Sequence, residues 1–253
     1  MILDKFKLDG KTAIVTGAAR GLGQGMALGL AEAGADIAAV DILDMDDTRA
    51  KVEALGRKCV TIPADLSDKA CVDTIVTKTV DELGGIDILV NNAGIIRRAP
   101  LAEFTEADWD DVMNINIRTL FFLSQAVAKI FTKQGRGGKI INTASMLSFQ
   151  GGIRVPSYTA SKSAVMGLTK LLANELADQN INVNAIAPGY MATDNTAPLR
   201  ADPQRSKEIL GRIPAGRWGT PEDLAGAAVF LASPAADYIQ GYTLAVDGGW
   251  LAR

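Results

Sequence analysis

A doubly wound α/β fold, a seven-stranded parallel sheet with helices on both faces, is what this chain predicts. Three observations carry that expectation. Short β-branched runs alternate with helix-length amphipathic stretches from residue 12 almost to the end, a glycine-rich turn joins the first run to the first helix, and no Pro/Gly/Ser linker, repeat or low-complexity tract divides the chain. Alternating β and α units place parallel strands in a sheet that is covered on both sides. The chain therefore reads as a single domain over residues 1–253.

In order, the strand-like runs are Thr12 to Thr16, Asp36 to Val40, Cys59 to Ile62, Ile88 to Val90, Lys139 to Asn142, Asn182 to Ile186 and Thr243 to Val246. Helical stretches lie between them at Gly23 to Ala33, Asp68 to Leu83, Asp108 to Lys133, Tyr158 to Asp178 and Glu222 to Ala232. Residues 190–219, with Pro198, Pro203 and Pro214, lack strong periodicity. Two readings stand for that segment: a mobile substrate lid, or an ordinary surface insertion.

Composition narrows the function. With 48% hydrophobic residues, 22% charged and 25 glycines without period, the chain resembles an ordinary soluble enzyme. A formal charge of -3 with dispersed basic residues leaves no electrostatic footprint for nucleic acid or an anionic membrane, so a small-molecule partner is expected. Met1 to Lys11 mixes charges with single apolar residues, unlike a signal peptide, and no later stretch approaches the roughly 20 apolar residues of a membrane helix. Cys59 and Cys71 are too few for a disulfide framework or a four-cysteine zinc site, which fits a reducing cytoplasm. The absence of histidine excludes a Ser-His-Asp triad, a Cys-His pair and the commonest zinc chemistry. No metal is expected, and proton transfer falls to another side chain.

Thr16-Gly17-Ala18-Ala19-Arg20-Gly21-Leu22-Gly23 follows the first strand and opens the first helix. Glycines there permit positive φ and close backbone approach, while the helix N-terminus offers free N–H groups to a pyrophosphate, as in a Rossmann-type dinucleotide site. A plain strand-to-helix turn is the alternative. Asp41, ending the second strand, is placed to accept hydrogen bonds from both hydroxyls of an adenosine ribose, and its charge opposes a 2′-phosphate. NAD(H) is therefore expected, and NADP(H) disfavoured. Arg20 either reaches a phosphate or is simply solvated. Asp65 either caps a turn or meets the adenine amino group, and Asn91-Asn92-Ala93-Gly94 ends the fourth strand, where open α/β sheets bind ligands.

Tyr158 and Lys162 are four apart in a helical stretch and share a face. A nearby ammonium favours phenolate, bringing tyrosine, with its ordinary pKa of about 10, nearer to use as a base. Alone, such a pair is most simply an amphipathic surface feature. Here Ser145 follows an apolar strand at the ligand-binding edge, where its hydroxyl is placed to donate to a carbonyl and stabilise alkoxide charge. A turn serine is the plainer reading, as for Ser148.

Taken together, these segments resemble the short-chain dehydrogenase/reductase family collinearly from Leu8 to almost the last residue. Thr16 to Gly23 matches its TGxxxGxG, Asn91 to Gly94 its NNAG and Tyr158 to Lys162 its YxxxK, with Ser145 in the catalytic serine position. The resemblance implies a tyrosine acid/base assisted by Lys162, Ser145 and Asn116, whose amide helps hold a water linking the lysine to solvent. It implies cofactor contacts at Gly17, Arg20, Gly21, Leu22, Gly23, Asp41, Asp65, Leu66, Asn92, Ala93, Gly94, Tyr158, Lys162, Pro188, Gly189, Met191 and Thr193. It also implies a homotetramer, with Trp250 to Arg253 packing across a subunit boundary.

A longer resemblance, through Asn91 to Arg98, Ser145 to Tyr158 and Val246 to Arg253, is to the family's sugar-acid dehydrogenases. It implies a small open-chain keto-sugar acid of the uronate-degradation type as substrate. Ser145, Met146, Gln150, Arg154, Tyr158 and Arg97 are the expected pocket residues, and at least one of Arg97, Arg98 and Arg154 is suited to hold a carboxylate bidentately. For each arginine a surface salt bridge is the competing reading. The rival functions are reduction of a ketoacyl thioester or another sugar, and non-catalytic nucleotide sensing on the same fold.

Overall fold

A computed structural model describes residues 1–253. Seven strands, β1 (Thr12–Thr16), β2 (Asp36–Asp41), β3 (Cys59–Pro63), β4 (Ile88–Asn91), β5 (Gly138–Thr143), β6 (Ile181–Pro188) and β7 (Thr243–Val246), form one sheet in the order β3-β2-β1-β4-β5-β6-β7. Every pairing is parallel, with Thr12 opposite Asp36 and Ile88 opposite Lys139 fixing the register around the centre. The expected doubly wound α/β class is the observed one. Chain order reverses between β1 and β4, and there the crevice for a ligand opens at the carboxyl ends of the strands.

Alternate residues along each strand face opposite sides. Val15, Ile37, Ala39 and Val90 pack with Met26, Leu30, Leu224 and Leu231, burying one face under α1 (Gly21–Glu32) and α9 (Pro221–Ala232). Those two helices approach closely: a Cβ on Gly29 would lie 2.7 Å from that of Ala225. Ile14, Val40, Leu89 and Ile140 pack the other way, against α3 (Cys71–Leu83), α5 (Leu120–Gln134) and α6 (Pro156–Leu176). Phe131 of α5 fills the space left by Gly138, whose Cβ would fall 2.3 Å from its ring.

Three differences from the sequence expectation have physical causes. Asp46–Ala54 is a helix, α2, that buries only Thr48 and Val52, too narrow an apolar stripe to be read as periodic. The long helix expected over Asp108 to Lys133 is α4 (Glu106–Met113), then a π-helical turn at Asn114–Thr119, then α5. The wide turn coincides with Asn116, whose amide bonds the Ile95 backbone instead of facing along the helix. Within 190–219 lie a short 3-10 turn, α7 (Ala197–Ala201) and α8 (Pro203–Arg212), each with a proline in its first turn and together burying chiefly Ile209 and, just beyond, Ile213. No helix is long and apolar enough to cross a membrane.

Candidate active site

The turn after β1 is built for close approach. Gly17 and Gly21 have φ of +69° and +59°, which an L side chain resists, and a Cβ on Gly23 would fall 2.0 Å from the Gly17 carbonyl oxygen. Gly21 through Gly23, with Leu22 between them, form the first turn of α1, and no side chain caps it, so its N–H groups stand available to an anion. Asn92 is spent on the scaffold: its Nδ2 donates to the Thr16 carbonyl at 2.9 Å, while its own N–H and that of Ala93 donate to Thr16 Oγ1 at 3.0 Å. These bonds stitch β1 to β4 across the reversal point.

Asp41 braces the same turn by accepting from the Ala19 and Leu43 N–H groups, each at 3.0 Å. Arg20 is neither free nor turned to that carboxylate; its guanidinium pairs at 2.7 Å with Asp194, beyond β6. Asp65 takes the turn-capping role, accepting from the Ser67 N–H at 2.8 Å, and that bond holds its carboxyl below the usual range. The Leu66 carbonyl beside it accepts from Thr119 Oγ1 at 2.7 Å. On the far side, Pro188 ends β6 and the Gly189 N–H donates to the Val246 carbonyl. Met191 is buried and bridges to Gly219, and Thr193 lies against the glycine turn, 3.8 Å from where a Gly21 Cβ would sit. A glycine cradle, an uncapped helix start and a carboxylate at the end of β2 fit a dinucleotide cofactor.

β5 ends at Thr143, and Ser145, Tyr158 and Lys162 gather just beyond it. Ser145, 6% exposed, starts a 3-10 turn in which its Oγ accepts from the Leu147 N–H. α6 presents Tyr158 and Lys162 to the same place. Lys162 is 4% exposed, and burial pushes its ammonium down to about 8. Its Nζ donates to the Thr143 carbonyl at 2.6 Å and lies 5.6 Å from the centre of the Tyr158 ring. Burial pushes the Tyr158 phenol above its ordinary value, an effect that the Ser145 hydroxyl and the charge of Arg98 offset only in part. The net direction is upward, so the lowering by the lysine expected from the sequence is not met; the Lys162 ammonium is turned to the strand-end carbonyl instead.

Asn116, 1% exposed, accepts from the Ile95 N–H and donates to the Ile95 carbonyl and to Ser161 Oγ. Both amide hydrogens are therefore committed to protein groups, and only the oxygen retains capacity for a water. Gly94 opens the space between these groups, since a Cβ there would lie 3.1 Å from Asn116 Oδ1 and 3.7 Å from Lys162 Nζ. Thr143 keeps a buried hydroxyl without a partner at the same strand end.

The arginines separate by geometry. Arg97 is engaged by α4, pairing with Asp111 at 3.0 Å and Asp108 at 3.6 Å, the surface alternative to substrate contact. Arg154 is exposed at a left-handed φ of 65°, and its carbonyl accepts from the Ala99 N–H. Arg98 is the one whose charge reaches the Tyr158 phenol, and it also donates to the Asn195 carbonyl at 3.3 Å. Gln150 accepts from Arg212 of α8 at 3.3 Å, and Met146 is buried with Ile209, Ile213 and Trp250. Trp250 is buried, 4.7 Å from the Tyr190 ring and capped by the Arg212 guanidinium. Motif spacing did not point to Thr143, Ser161, Asp194 or Arg212, whose partners are distant in the chain.

Residues 17–251 match a family model described as Enoyl-(Acyl carrier protein) reductase. The chain is 68% identical, over the whole of both proteins, to 2-dehydro-3-deoxy-D-gluconate 5-dehydrogenase of Dickeya dadantii, and 66% identical on the same terms to that of Escherichia coli. Its fold matches a solved gluconate 5-dehydrogenase of Burkholderia cenocepacia, in complex with NADP and tartrate, with a TM-score of 0.95 at 40% identity, covering 100% of each chain. With the serine, tyrosine and lysine gathered at the end of β5 beside a glycine turn, the chain belongs to the short-chain dehydrogenase/reductase family.

Proposed function

We propose that this chain is an NAD(H)-dependent oxidoreductase acting on carbon 5 of 2-dehydro-3-deoxy-D-gluconate, interconverting a secondary alcohol and a ketone. The observation that carries this reading is 66–68% identity over full length to relatives of that name. The bound cofactor supplies the hydride acceptor or donor. Tyr158 takes the hydroxyl proton in oxidation and returns it in reduction. Ser145 donates to the substrate oxygen and stabilises its developing charge. Lys162 binds the nicotinamide ribose and, with Asn116, passes the proton toward solvent. The glycine turn, Asp41, the Asp65 to Leu66 loop, Asn92 to Gly94 and the Pro188 to Thr193 stretch form the cofactor bed. Preference for NAD(H) rests on Asp41, although NADP is the cofactor named with the Burkholderia structure.

Residues 190–219 serve as the substrate lid of a one-domain, cytoplasmic enzyme. Support for the lid comes from Arg98 and Gln150, which bond to Asn195 and Arg212 within or bordering it. Exposed Trp109, Phe122 and Leu171 on α4, α5 and α6 support a homotetramer, which light scattering would contradict by reporting a monomer.

The direct test offers keto-sugar acids and ketoacyl thioesters with NADH and NADPH. Turnover should be confined to the sugar acids, favour NADH in kcat/KM, and fall by about 10²–10⁴-fold or more in Tyr158→Phe. Turnover of thioesters alone, or near-normal activity of the variant, would overturn the assignment.

Arg98 is the arginine assigned to the substrate carboxylate. Arg98→Ala should raise KM by about tenfold or more for the acid and much less for its neutral amide. Equal losses for both would place the carboxylate elsewhere.

Lys162 also predicts a pH signature in stability. Its folded pKa of about 8 lies below the ordinary lysine value, so the folded state pays for the buried charge below about 8 and is relieved as pH rises toward 10.5. Relative to wild type, Lys162→Met should therefore gain stability at pH 7, and the gain should shrink by pH 9.5 in urea titrations. A difference independent of pH would contradict this.

A further inference from the structure

Arg20 and Asp41 flank one turn, yet the arginine faces away from it. Asp41 accepts from the Ala19 N–H, so its carboxylate is fixed one residue from the Arg20 backbone. An arginine side chain anchored there has the reach to swing to either side of the turn. In the structure its guanidinium lies instead on Asp194, at 2.7 Å. Asp194 opens the 3-10 turn Asp194–Thr196, whose Thr193 cap lies against Gly21. That turn is held from other directions too, since Arg98 donates to the Asn195 carbonyl and Arg200 to that of Thr193, at 3.3 and 3.1 Å. The acidic partner of Arg20 is thus part of a bonded turn with its own anchors.

We propose that Asp194 determines cofactor selectivity by holding Arg20 away from the ribose 2′ position. This rests on the assignment of the glycine turn and Asp41 to the adenosine end of the cofactor. A 2′-phosphate beside Asp41 meets a like charge, and Arg20 is the cation next in the chain to the Ala19 N–H that the carboxylate holds. Recruiting Arg20 to the phosphate requires breaking its pair with Asp194. An unphosphorylated ribose makes no such demand. The lid base and a 2′-phosphate therefore compete for one guanidinium, and NAD(H) is favoured both by repulsion at Asp41 and by retention of Arg20 at Asp194.

The experiment is calorimetric titration of NAD+ and NADP+ into wild type, Asp194→Asn, Arg20→Gln and the double variant. Asparagine retains the size of aspartate and removes its charge. The ratio of the two dissociation constants should shift toward NADP+ by about threefold to fivefold in Asp194→Asn, the range an exposed ion pair represents. It should not shift when Asp194→Asn is made in the Arg20→Gln background. An unmoved ratio in the single variant, or the same shift without Arg20, would overturn the proposal. The wild-type ratio tests the NAD(H) reading separately, because a wild type favouring NADP+ refutes that preference whatever Asp194→Asn does.

Discussion

Parallel strands cannot be joined by tight turns, and this constraint organises the molecule. Each strand must be followed by a crossover that returns the chain to the same starting edge, so all seven carboxyl ends emerge together. The reversal between β1 and β4 parts two neighbouring crossovers and leaves a crevice at those ends. The glycine turn after β1, Asp41 at the end of β2, Asn92 to Gly94 after β4, Ser145 after β5 and Gly189 after β6 then fall around one opening. None is adjacent in sequence to the next. The sheet makes them neighbours, and bonds such as those from Asn92 and Ala93 to Thr16 fix their spacing.

Within that frame, chemistry depends on burying charge where it can be steadied. The Lys162 ammonium is withdrawn from water, which pushes it down to about 8, and the Thr143 carbonyl compensates by accepting its hydrogen bond at 2.6 Å. Burial alone would make Tyr158 a poorer base. Ser145 and Arg98 oppose that effect only in part, and the phenol stays above its ordinary value. The π-helical turn adds a mechanical element. By widening the helix at Asn116, it lets one side chain bond the Ile95 backbone and Ser161 of α6 together, tying the strand-end loop to the helix that carries tyrosine and lysine.

Much of this was legible because periodicity and turn chemistry are local. Thr12–Thr16 and Thr243–Val246 end where their β-branched runs end, and the spacing of Tyr158 and Lys162 puts both on one face of α6. What was not legible depends on partners distant in sequence. The π-turn is set by Asn116 meeting Ile95, which no helical pattern contains. The fates of the arginines are tertiary as well: Arg97 meets Asp108 and Asp111 because the strand-end loop crosses α4, and Arg20 meets Asp194 because the chain after β6 returns to the glycine turn. Helix α8 escaped notice because Ile209 is its one buried residue, and the apolar surface it meets, Met146 and Trp250, comes from other parts of the chain.

The aromatic cluster of Tyr190, Trp218 and Trp250 packs beside Met146, joining the two ends of residues 190–219 to the last turn of the chain. The central claim, hydride transfer at a carbinol carbon held between Ser145 and Tyr158, is tested most directly by isotope. The enzyme is given NADH deuterated at carbon 4, as each epimer separately, with the 5-keto form of the sugar acid. One epimer should deliver its deuterium to carbon 5 of the product, with none exchanged into water. Failure of both epimers to label that carbon, or label elsewhere in the product, would contradict it.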